Sequence, residues 1–367
     1  MANLPEEFLV VICTTIRQVS ILLKKRLELV MKKSKIAKRI VVYSLVFVMV
    51  VTTCAACGKS DSKLTKVTLN EVAHSIFYAP QYVAIENGYF EEEGIDLELV
   101  TGFGADKTMT ALVSGEADIG FMGAESSIYL YSEGASNYAV NFAQLTQRAG
   151  NFLVARQPID DFSWDMLKGK DVIGGRKGGM PEMVFEYILK KNGIDPAADL
   201  NIDQSIDFGS TAAAFSGGQG EFTVEFEPSA TALESAGEGY VVASLGVDSG
   251  YVPYTSYCVT TDYMEENGEI IQSFTNALQK GMEYVNSHTP EEIAQVIAPQ
   301  FEETDIETIE KIVTRYYEQD TWKENLVFEE SSFDLLQNIL ISAGELSDSV
   351  PYDKLVDTSF AQKAAGK

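Results

Sequence analysis

The chain has 367 residues, with 28 basic and 54 acidic side chains and a formal net charge of −26. That length suits two domains, and 46% hydrophobic with 10% aromatic residues supplies a core and argues against disorder throughout. The charge argues against nucleic acid as a partner, because phosphate binding needs a basic surface. Two histidines, His74 and His288, and four cysteines argue against a zinc ribbon or a His-rich metal site.

The charge is uneven. The first 56 residues carry nine basic side chains against three acidic ones, which leaves 19 basic and 51 acidic side chains for the rest. From Met31 the chain reads MKKSKIAKRIVVYSLVFVMVVTTCAACGKSDSK. A basic stretch, an apolar run over 40–51 and then small residues form the three-part layout of a secretory signal. The apolar run is short for a membrane span. Cys54-Ala55-Ala56-Cys57-Gly58 resembles a bacterial lipoprotein box, with Cys54 where leucine is usual. The resemblance implies a mature N-terminus at Cys57, lipid on its thiol and an anchor in the membrane. Residues 31–56 are then the signal, 57–65 a polar tether, and 1–30 the product of a misassigned start. With Cys57 acylated, only Cys258 remains, so no internal disulfide is expected.

From residue 66 onward strand and helix patterns alternate. KVTLNEV (66–72) reads as a strand and APQYVAIENGYFEEEG (79–94) as a helix stopped by Gly94. IDLELV (95–100), a helix over 105–115, a buried strand over 117–123 and a helix from Glu125 follow. The same order recurs: strand 171–175, helix 181–195, strand 200–206, helix 210–218 and strand 221–226. Gly-Ile-Asp occurs at 94–96 and again at 193–195. This pattern predicts two α/β lobes of like construction, each with a mostly parallel sheet. The tail, from about 263, reads as helices padding the first lobe. Crossings are expected near 151–156 and 254–259. These give lobe 1 as 66–155 plus 258–367, and lobe 2 as 156–257.

In open α/β sheets, ligands bind beyond the carboxyl ends of the strands. Ser75, Phe77 and Tyr78 follow the first strand, and Phe103 lies in a Gly-Phe-Gly loop after the second. Gly123 and Ser126 lead into a helix, as do Gly178, Gly179 and Met180. A helix N-terminus suits an anion or a polar acceptor, although capping or a plain turn explains these residues as well. Glu225 and Glu227 end a strand, where a carboxylate accepts from an amine or amidine; a solvated pair at a helix start is the alternative. Arg148 reads as an anion ligand or an interlobe salt bridge. No Walker loop, no G-x-G-x-x-G after a strand and no G-x-S-x-G elbow occurs, so no catalysis and no cofactor are expected.

HSIFYAPQYVAIENGYFEEEGIDLELVTG, ALVSGEADIGFMG, DMLKGKDVIGGRKGG and FEPSATALE together resemble periplasmic-type solute-binding proteins of the nitrate, sulfonate and taurine class. That class also includes binders of thiamine pyrimidine precursors. The resemblance covers most of residues 66–290. It implies a type II periplasmic-binding-protein fold, two α/β lobes on a two-crossing hinge. It also implies delivery of a small ligand to an ABC permease and its ATPase. A monomer on the outer face of a bacterial membrane is expected. The pyrimidine-precursor binders often carry Asp-Trp-x-Pro-Asn ahead of this run, where this chain has Glu71-Val72-Ala73-His74-Ser75. Phe77, Tyr78 and Phe103 with Glu225 and Glu227 suit a flat, nitrogen-bearing ring; a sulfonate held by helix N-termini and Arg148 or Arg176 is the alternative.

Overall fold

The chain crosses twice between two five-stranded sheets. The structure, a computed structural model, describes residues 64–207 and 209–366. The expected start, signal and lipidated Cys57 lie outside the described residues. Strands β1 (Thr65–Glu71), β2 (Ile95–Thr101), β3 (Ile119–Gly123) and β4 (Ala139–Thr146) build the first sheet. Strands β5 (Phe152–Ala155), β6 (Asp171–Ile173), β7 (Asn201–Asp203), β8 (Phe222–Glu225) and β9 (Tyr240–Ser244) build the second, and β10 (Thr255–Thr260) returns to the first. The orders are β2-β1-β3-β10-β4 and β7-β6-β8-β5-β9.

Within each sheet one strand opposes the others. β1 is parallel to β2 and β3, while β10 is antiparallel to β3 and β4. Likewise β6 is parallel to β7 and β8, while β5 is antiparallel to β8 and β9. The reversed strand in each lobe is the one that has just arrived from the other. It enters at the carboxyl ends of its neighbours and can only run away from them.

This moves the expected boundaries. Residues 151–156 and 254–259 are not connectors, because β5 and β10 occupy most of them. FLVA and TSYCVT are buried along their whole length, as strands covered on both faces must be. The crossings are residues 147–151 and 250–254. β5 therefore belongs to the second lobe and all of β10 to the first, against the expected limits at 155 and 257. β4 was not legible, since Asn141, Gln144 and Thr146 interrupt its apolar pattern although every position is buried.

The helices follow the expected rhythm with one break. The stretch over 79–94 is two helices, α1 (Ala79–Glu86) and α2 (Tyr89–Glu92). Gly88 between them sits at φ 70°, a left-handed value that glycine adopts without cost. Next come α3 (Ala105–Ser114), α4 (Glu125–Ser132), α5 (Met180–Lys191), α6 (Thr211–Ser216) and α7 (Ser229–Ser235). In the tail, α8 (Gly268–Ser287) and α9 (Pro290–Ile297) pack on α1, as expected of helices padding the first lobe. α10 (Ile306–Glu318) and α11 (Glu330–Ala343) also reach the second lobe. Arg315 of α10 pairs with Glu227 at 2.5 Å and Glu234 at 2.6 Å, and α11 lies against α5. Among the described residues no helix is long and apolar enough to cross a membrane.

α8 meets α1 at Gly281, where a Cβ would sit 2.2 Å from the Pro80 carbonyl oxygen. Backbone on both sides leaves little room to yield. Gly281→Ala is expected to destabilise the fold by about 1–3 kcal/mol, the usual range for overpacking. Gly268→Ala, where nothing lies within 4 Å, should stay within about 0.5 kcal/mol of the parent. Urea unfolding of both variants checks this.

Candidate functional site

The parallel strands of both sheets end at the same gap, so the loops that follow them face one another across it. They enclose a cavity of about 520 Å³. The first lobe contributes Ser75 and Tyr78 from the turn after β1, Phe103 from the loop after β2, and Gly123 with Glu125 at the β3–α4 junction. The second lobe contributes Gly179 and Met180 at the start of α5, Glu225 at the end of β8 and Glu227 just after it. Asn151 and Tyr254, one from each crossing, line the floor and hydrogen-bond to each other.

Eight of the twelve residues singled out in the sequence therefore reach the cavity wall, and four do not. Phe77 is fully buried behind it, its ring 5.1 Å from Tyr316 and 5.7 Å from Tyr254. In the tight turn Ile76–Tyr78 neighbouring side chains diverge, so Tyr78 faces the gap and Phe77 the core. Ser126 is buried within α4. Arg148 lies over the Tyr251 ring at 4.2 Å and donates to the Gly246 carbonyl at 3.0 Å, away from the cavity. Gly178 joins the lobes instead: its carbonyl accepts from the Tyr129 hydroxyl at 3.1 Å.

The two predicted glutamates differ. Glu227 is buried and satisfied: the Thr231 N–H (2.8 Å) and hydroxyl (3.0 Å) donate to it, and Arg315 neutralises it. Its backbone carbonyl accepts from the Ser75 hydroxyl across the gap at 2.9 Å. Glu225 makes no ion pair among the described residues. Burial pushes its carboxyl up to about 7, against the hydroxyls of Thr223 (2.6 Å) and Thr211 (3.0 Å) that donate to it.

Sequence reasoning missed Glu125. A glutamate at a helix start reads as capping, yet this one is 3% exposed and turned over Gly123 at the cavity wall. Burial pushes it up to about 8, against its own N–H, Arg176 and the Met180 N–H. Its Oε2 has no hydrogen-bond partner among the described residues. Arg176 faces Asp106 of α3 at 3.5 Å across the gap and is half exposed. Phe103, an exposed ring at φ 55°, holds a backbone conformation that is costly for a bulky residue. No group of three or more His, Cys, Asp or Glu side chains among the described residues is placed to hold a metal.

His74 stands at the same wall. Nδ1 lies 2.8 Å from the buried Glu71 carboxylate and Nε2 2.8 Å from the Gln300 carbonyl. Burial alone would lower its pKa; the Glu71 and Gln300 acceptors outweigh that and raise it. A carboxyl raised on folding loses stability as pH climbs from its unfolded to its folded value, and a raised histidine loses its contribution as pH climbs through its folded value. Glu125, Glu225 and His74 thus act in the same direction. The melting temperature of the ligand-free protein is expected to fall between pH 5 and pH 8.5. Glu125→Gln should match the parent near pH 5 and exceed it by about 1 kcal/mol or more at pH 8.5, since a tenfold change in proton affinity is worth about 1.4 kcal/mol. Thermal unfolding across that range measures both.

The NMT1/THI5-like family matches residues 76–293. The chain is 45% identical over 313 residues to YtlA of Bacillus subtilis (strain 168), provisionally described as a binding protein. That alignment covers 85% of this chain and 93% of YtlA. Of the solved structures, the alkanesulfonate-binding protein SsuA of Xanthomonas axonopodis pv. citri, bound to MOPS, has a TM-score of 0.66 at 15% identity, covering 80% of this chain and 98% of that one. The nitrate-binding protein NrtA of Synechocystis PCC 6803 has a TM-score of 0.64 at 17% identity, covering 83% and 89%. At such identities the likeness is one of fold, and it is the two-lobed periplasmic-binding-protein fold. With the family match spanning more than half of its length, the chain belongs to the NMT1/THI5-like family.

Proposed function

We propose that the protein is the substrate-binding component of an ABC importer. It is held on the outer face of a bacterial membrane by lipid on Cys57, captures a small nitrogen-bearing heteroaromatic molecule between its lobes, and delivers it to the permease and ATPase. The observation that carries this reading is the cavity itself: enclosed by both lobes, about 520 Å³ in volume, with the Tyr78 and Phe103 rings beside the buried carboxylates Glu125 and Glu225. Rings offer faces to a flat ligand, and carboxylates accept from its N–H groups. Each lobe supplies part of the wall, which suits closure about a hinge.

A binder is favoured over an enzyme on the same scaffold. Cys258 is buried and its thiol pushed up to about 12, which makes it a poor nucleophile. His74 is engaged at both nitrogens. The nitrate or sulfonate reading has less support, because Arg148 lies elsewhere and Arg176 already faces Asp106.

Residues 60–367, purified and tested by thermal shift, should be stabilised by an aminopyrimidine, thiamine or riboflavin and not by nitrate, bicarbonate, taurine or an alkanesulfonate. A ligand at a hundred times its Kd adds about 2.7 kcal/mol. Stabilisation by anions alone would transfer the assignment to the sulfonate class. In cells, a labelled fatty acid should enter the full-length protein and be lost in Cys57→Ala; equal labelling of both would refute the anchor.

A further inference from the structure

Two cavity carboxylates that make no ion pair among the described residues come one from each lobe. Glu125 opens α4 in the first lobe and Glu225 closes β8 in the second. Both are 3% exposed. The Glu125 carboxylate lies in the space that a Cβ at residue 123 would enter, 2.1 Å from Oε2 and 2.5 Å from Oε1. Its Oε2 is unpartnered among the described residues, although a buried oxygen normally finds a donor. Glu225 accepts from two threonine hydroxyls and keeps unfilled lone pairs.

Other charged groups stand around the cavity. Glu227 is paired with Arg315, and His74 with Glu71. Arg176 is half exposed and faces Asp106, while Lys107 and Asp207 also line the cavity. The Tyr78 and Tyr254 phenols are pushed well up by burial and stay neutral. Lobe closure with nothing between Glu125 and Glu225 leaves two carboxyls out of water with no ion-pair partner among the described residues, and at Glu125 burial outweighs the opposing field of Arg176, a state that favours the protonated forms.

We propose that Glu125 and Glu225 act as a charge selector across the cleft. The ligand is a small organic cation with N–H donors at two ends, one end held by each carboxyl group, and the carboxyl that meets the charged end releases its proton to solvent as it binds. This rests on the small-molecule reading of the same cavity and adds the ligand's charge. The proton balance fixes a sign. A cation already protonated in solution converts the carboxylic acid it pairs with to a carboxylate and frees a proton, so binding tightens as pH rises. An anion needs both carboxyls protonated, so its binding weakens as pH rises and consumes protons.

The test is calorimetric titration of residues 60–367 from pH 6 to pH 9, in phosphate and in Tris, whose ionisation heats differ. 4-Aminobenzamidine, a flat cation with donors at both ends, is compared with benzenesulfonate and taurine. The expected result is binding of 4-aminobenzamidine with proton release and a Kd at least tenfold tighter at pH 9 than at pH 6. Glu125→Gln and Glu225→Gln, which copy the protonated forms and should stay folded, should each weaken it about tenfold or more at pH 8, and the one that removes the carboxylate paired with the amidinium should flatten the pH slope. Binding of the sulfonates with proton uptake would overturn the selector and leave the importer reading intact. So would pH-independent binding of 4-aminobenzamidine. Heat from none of the three would overturn the selector and count against small-molecule capture as well.

Discussion

Strand direction governs the rest of this molecule. In a parallel sheet every strand ends on the same edge, and each connection to the following helix starts there. With two such sheets set edge to edge, all the strand-to-helix turns of one lobe face those of the other. The chain can pass between them only at that edge, so the arriving strand must run backwards. β5 and β10 are those strands, and they leave their lobes with one antiparallel member each. The cavity is therefore no separate addition to the fold. Its walls are the turns that this topology gathers at one place, and its floor is the pair of crossings, closed by the contact between Asn151 and Tyr254.

The lobes share one apolar core, in which the Phe77 ring lies 5.9 Å from Phe226 and Phe152 lies 5.8 Å from Tyr316, and they are also joined by polar contacts made mostly by backbone or by committed pairs. The Ser75 hydroxyl reaches the Glu227 carbonyl, Tyr129 reaches the Gly178 carbonyl, and Tyr316 reaches the Gly150 carbonyl at 2.9 Å. α10 adds Arg315 with Glu227 and Glu234, and Lys311 with Glu234 at 3.0 Å. Breaking a buried pair by removing one partner costs about 3–5 kcal/mol, so Arg315 is a strut rather than a surface decoration. Direct hydrogen bonds contribute about 1 kcal/mol each. A ligand can bias a joint built of such units only by as much as its affinity differs between two arrangements of the lobes.

Much of this was legible from periodicity. The alternation of strand and helix from residue 66 onward gave two lobes, because apolar spacing and glycine stops are local signals. Gly88 breaks a helix that spacing alone continues to Gly94. β4 escaped notice because burial of Asn141, Gln144 and Thr146 depends on partners far away in the chain, such as Ser256 and Thr255. At the site, strand ends located the right turns, since topology places them. Which member of a turn faces the gap is set by rotation of a few tens of degrees, and sequence carries no sign of it; hence Tyr78 reaches the cavity and Phe77 does not. Glu125 was hidden for another reason. A helix start accounts for a glutamate by itself, and only burial distinguishes a solvated cap from a carboxylate pressed over a glycine.

The charge balance links the site to the whole body. From residue 57 on, 51 acidic side chains face 19 basic ones, and a surface of that sign concentrates cations and repels anions. Salt at physiological strength screens exposed charges beyond about 8 Å, so this field acts only at the mouth. There Asp106 and Asp207 meet Arg176 and Lys107, and the signs nearly cancel. Inside, screening fails, and on the proposed reading Glu125 and Glu225 can give up a proton to a cation but not to an anion. A cation thus meets attraction over the surface, little barrier at the rim and two acceptors within. An anion meets the reverse at the first and last of these steps, whatever the helix N-termini around the cavity offer it.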